Sequence, residues 1–148
     1  MRKKVIFGFL LFCLVLPLVY ARGNTARTFD RYEEVIYRVD DAFISIIGRA
    51  ADGAHFLVDF FLSFDVTGER WNVDLQAMIA ENHLRTVLWD FADEIFFPMF
   101  KTAHLVEILG DEENTMFSDG FMDYIKDNED LSNTRVTRVR IELVSWAR

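Results

Sequence analysis

The chain has 148 residues, a formal charge of −8 and a sequence pI near 4.8. Hydrophobic content of 51% and aromatic content of 15% place it among folded rather than disordered proteins. A body this acidic is repelled by phosphate backbones and anionic headgroups, which argues against nucleic acid and against electrostatic docking on membranes.

The N-terminus has the three parts of an export signal: basic Arg2-Lys3-Lys4, an apolar run from Val5 to Tyr20, and the small-residue site Val19-Tyr20-Ala21. Cleavage is expected after Ala21, making 1–21 a signal peptide and 22–148 a single small α+β domain. Loss of Arg2, Lys3 and Lys4 takes the formal charge from −8 to −11. A retained anchor is the weaker reading, because Pro17 interrupts the run and it falls short of the roughly 20 residues a span needs.

Cys13 is the single cysteine and lies inside this run behind bulky Leu11 and Phe12, which disfavours lipidation. The mature chain is then expected to carry no disulfide, thiolate metal site or cysteine nucleophile. Asn24, Asn114 and Asn133 are each followed directly by threonine, the wrong spacing for a glycosylation acceptor. The combination fits a bacterial protein that is periplasmic, envelope-associated or secreted.

Beyond a polar lead-in, Phe29, Tyr32, Ile36, Val39, Phe43, Ile46 and Ala50 recur at steps of three and four, which predicts an N-terminal helix ending near Gly48 or Gly53. From Phe56 to Val66 the period is two, with Phe56, Val58, Phe60, Leu62, Phe64 and Val66 on one face. Thr67-Gly68-Glu69-Arg70 reads as a turn, and Trp71, Val73, Leu75 and Ala77 as the returning strand of a β-hairpin.

Helical spacing returns through Leu84, Val87, Leu88, Phe91 and Ile95, and Pro98 should end or kink that helix. The stretch 99–109 is compatible with helix or strand. A short amphipathic segment at 117–125 follows, and Val139, Ile141 and Leu143 alternate with Arg138, Arg140 and Glu142 as a closing strand. The expected fold is thus α+β: N-terminal helix, β-hairpin, one or two helices and a C-terminal strand, in a two-layer helix-on-antiparallel-sheet domain.

Motifs that carry chemistry are sparse. His55, His83 and His104 have no metal-ligand spacing; His83 with Asp90 and Glu94 is the best local cluster, and a solvated helix face explains it. The carboxylates between Asp111 and Asp130 do not match a calcium loop in any register beginning at Asp119, Asp123 or Asp127. No serine has a nucleophile-elbow setting, and neither a glycine-rich phosphate loop nor a cofactor-binding motif occurs. For a hydrolase working through paired carboxylates, Asp59, Asp65 and Asp74 are the first residues to inspect.

The feature left over is aromatic. Leu57 and Phe61 fall on the face of the strand opposite its apolar side, and the run Phe96-Phe97-Pro98-Met99-Phe100 straddles a helix-breaking proline. Phe96, Phe97 and Phe100 are the candidate binding residues, presented at a bend to a protein partner, to another copy of the chain, or to an apolar small ligand. The sequence reads as a non-enzymatic binding domain, with a carboxylate-dependent hydrolase or a lipid carrier as alternatives, the last requiring an enclosed apolar cavity.

Overall fold

The computed structural model describes residues 32–111 and 115–148. Three long antiparallel strands form its sheet: β1 (Glu34–Arg49), β2 (His55–Glu69) and β3 (Thr134–Ala147), in the order β1-β2-β3. Between β2 and β3 the chain makes three α-helices, α1 (Val73–Asp90), α2 (Thr102–Leu109) and α3 (Thr115–Ile125). All three bury side chains in the core that also takes the inward faces of the strands, so the domain is α+β with an antiparallel sheet.

Glu34–Arg49 is a strand, not the helix its three-and-four spacing predicts. The part of that expectation covering Phe29 lies outside the described residues. The mismatch arises because both faces of β1 carry apolar residues: in the expected stripe Ile36 and Phe43 lie on the exposed outer face and Val39 and Ile46 on the inner one. A register shift also falls between Val39 and Ala42, where Asp41 takes a left-handed backbone with φ of 52°. Before this bulge the inward positions are odd-numbered, as at Val39 opposite Phe64. After it they are even-numbered, as at Ala42, Ile44 and Ile46 opposite Leu62, Phe60 and Val58. One inserted residue thus moves the inward face from odd to even positions. The Ser63 hydroxyl accepts the Asp41 amide at 3.1 Å, which helps hold the bulge.

The β-hairpin exists, but its arms are β1 and β2, joined through Ala50–Ala54 with Gly53 at φ of 86°. The expected returning strand from Trp71 to Ala77 is instead the turn into α1 and its first residues. Val73, Ala77, Ala80, Leu84, Val87 and Leu88 make the buried face at helical spacing. Exposed Trp71 and Leu75, interleaved with buried Val73 and Ala77, gave this segment its misleading alternation.

β2 follows the expected pattern, with Phe56, Val58, Phe60, Leu62, Phe64 and Val66 all buried. The long helix widens into a π-helical turn at Phe91–Phe96, and Pro98 lies in the 3₁₀ turn Phe97–Met99 that ends it. The stretch 99–109 resolves as helix from Thr102 onward. Asp52, in the β1–β2 turn, receives both the Thr102 hydroxyl (2.7 Å) and the Thr102 amide (3.1 Å), tying the start of α2 to the hairpin tip.

Candidate functional site

The bend around Pro98 turns its aromatic rings inward. Phe96 and Phe97 are buried and Phe100 is half-buried against the same core, so the expectation that these three project as a binding surface is corrected. Ring centroids lie 4.8 Å apart for Phe96 and Phe117, 5.1 Å for Phe96 and Phe100, and 6.5 Å for Phe56 and Phe97. Gly48 makes room for this packing: a β-carbon there would fall 1.8 Å from the Phe97 ring. The Phe100 carbonyl accepts the Ala51 amide at 2.8 Å, pinning the bend to the hairpin.

The outer face of the sheet holds the second group of candidates. Phe61 pairs across β1 with Phe43, their centroids 5.4 Å apart, and the Arg140 guanidinium lies 3.7 Å over the Phe61 ring. Ile47 is exposed beside half-buried Leu57. Polar rungs interrupt this apolar strip: Ser45 donates to Asp59 at 2.7 Å, and Arg38 binds Asp65 at 2.9 Å. The Arg38 hydrogen bond, reinforced by the charges of Arg38 and Arg135, holds the Asp65 carboxyl below its ordinary value against the opposing effect of desolvation.

These rungs decide the hydrolase candidates. Asp59 and Asp65 are each engaged by a β1 side chain, and their separation of six residues along one strand is about 20 Å. Asp74 stands in the first turn of α1. At that separation Asp59 and Asp65 do not form a facing pair of the kind glycoside hydrolysis uses.

His83 meets the Asn128 amide at 3.3 Å, and it lines an open groove of about 450 Å³ with Gln76, Ile79, Ala80, Asp130 and Asn133. The groove is open to solvent, unlike the enclosed apolar cavity of a lipid carrier. Among the described residues, no group of three or more His, Cys, Asp or Glu side chains is placed to hold a metal ion.

The surface that sequence reasoning missed is the outward face of α1. Leu75, Met78, Ile79 and Trp89 are 56%, 63%, 62% and 44% exposed, and Trp71, in the turn just before the helix, is exposed as well. With Asn82 and Thr86, also exposed, they fall at positions 75, 78, 79, 82, 86 and 89, one stripe of a 3.6-residue helix spanning about 21 Å. The stripe contains no charge. The Thr86 hydroxyl bonds back to the Asn82 carbonyl at 3.2 Å, so that residue's own polar group is already satisfied. Arg85, which borders the stripe, is drawn aside by Glu81 at 2.7 Å and by the Phe43 carbonyl of β1.

Among the described residues no helix is long and apolar enough to cross a membrane. Comparisons of the chain with protein-family models, with curated proteins and with solved structures found no match.

Proposed function

We propose that this chain is an exported, non-enzymatic binding domain that engages a protein through the outward face of α1. The observation that carries the reading is a helix apolar on both sides: one face closes the domain's core, and the other leaves Leu75, Met78, Ile79 and Trp89 in water. An exposed contiguous apolar stripe of this kind costs solubility and is characteristic of interaction surfaces. The basic, apolar and small-residue order of residues 2–21 supports export.

The test substitutes Ile79→Lys and, separately, Met78→Glu, and compares what associates with each variant in the native compartment, further copies of the chain included. Loss of association with the melting temperature kept is the expected result. Unchanged association in both variants would remove α1 from the binding function.

A further inference from the structure

We infer that His83 and Asn128 form a pH-operated latch between α1 and the turn that leads into β3, closed while the imidazole is neutral and released when it takes up a proton. Asn128 caps the 3₁₀ turn Glu129–Leu131, its side-chain oxygen accepting the Asp130 amide at 3.1 Å. Leu131, the last residue of that turn, is buried in the core.

The cap settles which way the Asn128 amide faces, because a nitrogen in place of that oxygen would set donor against donor. The nitrogen is therefore the atom that lies 3.3 Å from His83 Nε2. An amide nitrogen only donates, so Nε2 presents its lone pair and the ring proton sits on Nδ1.

An imidazolium has a proton on both nitrogens and accepts nothing. Turning the Asn128 amide over would give the new Nε2 proton an oxygen, but it would bring the amide nitrogen onto the Asp130 N–H. One amide cannot serve both the cap and a charged His83. Protonation thus breaks either the bond to α1 or the cap of the turn.

The charges nearby give the released ring somewhere to go. Asp130 lines the same groove as His83 and offers a carboxylate, and Asp127 and Glu129 flank Asn128. Lys126 is the one cation of the connection 126–133. On α1, Asp90 lies two turns beyond His83, and Glu81 and Arg85 are paired with each other at 2.7 Å. The other tie across the groove, from Asn133 Nδ2 to Gln76 Oε1 at 3.4 Å, contains no titratable group and stays closed in acid. Release therefore frees the groove wall at its His83 end alone.

The test is NMR on the isotope-labelled native chain, titrated from about pH 8 to about pH 5. The Asn128 side-chain amide and the Asp130 backbone amide are expected to shift with the same midpoint as the His83 ring. Exchange of the Asp130 amide, corrected for the intrinsic effect of pH, should speed up about two- to tenfold, the worth of one net hydrogen bond. His83→Gln supplies an acceptor that does not titrate, so its Asp130 amide should ignore pH over this range. Asn128→Asp should reverse the sign: a carboxylate caps the turn and also accepts from the imidazolium, so protection of the Asp130 amide rises as pH falls. A pH response at Asp130 that survives in His83→Gln would overturn the latch, as would an Asn128→Asp chain that loosens in acid like the native one. An Asn128 side chain indifferent to the titration of His83 would overturn it outright.

Discussion

Asp52 is a turn residue whose carboxylate does the work of a helix cap for an element fifty positions away. Hydrogen bonding from the Thr102 side chain holds its carboxyl below the usual range; partial desolvation opposes this, and backbone amides including that of Thr102 add to the lowering. A carboxyl whose folded value lies below its unfolded value of about 3.9 contributes stability that is present above that value and lost as pH falls through the lower one. Melting temperature measured from pH 6 down to pH 2 should therefore fall less steeply at the acid end for Asp52→Asn than for the native chain, with the two curves converging at the lowest pH. Parallel curves would take Asp52 out of the acid response. Asp65, held low by Arg38, contributes in the same direction and is left in place by that substitution.

At the scale of the element, β2 is the central strand, and it buries every even-numbered side chain from Phe56 to Val66. Phe60 sits 4.9 Å from the Phe117 ring of α3 and is fully enclosed. Phe60→Ala should cost about 3–5 kcal/mol in denaturant melts. Asp59, one residue away on the outer face, loses only the Ser45 hydrogen bond when replaced by alanine, a cost of about 1 kcal/mol. Equal losses would mean the strand is turned over, since a slip of one residue exchanges the faces. The outer strands carry their own protection against further pairing. β1 is broken by the Asp41 bulge and β3 by irregularities opposite Leu57/Val58 and Ser63/Phe64, and Arg135, Arg138 and Arg140 stand along β3. With both edges blunted in this way, α1 presents the less guarded surface.

For the whole molecule, the point of entry of the chain bears on the export reading. Glu33 lies beside the turn into α1: its carbonyl accepts the Arg70 amide at 2.9 Å and its carboxylate pairs with the Arg70 guanidinium at 2.9 Å. The first strand starts at Glu34, thirteen residues past Ala21, so cleavage there leaves it and the Glu33 contacts complete. N-terminal sequencing of native material is expected to begin at Arg22, within a site or so. Recovery of intact Met1 in a membrane fraction would show that residues 5–20 act as an anchor.

Local pattern was sufficient where the buried face of an element keeps one unbroken apolar period. β2, the closing strand from Thr134, the helix through Leu84 to Ile95 and its end at Pro98 are legible for that reason. It misled where the outer face of an element is apolar as well. Exposed Ile36 and Phe43 joined inward Val39 and Ile46 to disguise β1 as a helix, and the apolar outer face of α1 disguised its first turns as a strand. The direction of the rings around Pro98 was likewise beyond local reach. A proline says that the helix bends, but the space left by Gly48 and the rings of Phe56 and Phe117 decide that Phe96 and Phe97 turn into the core. Which apolar residues remain exposed is what is left after the core has filled, and only the packed molecule shows that remainder to be Leu75, Met78, Ile79 and Trp89 on α1.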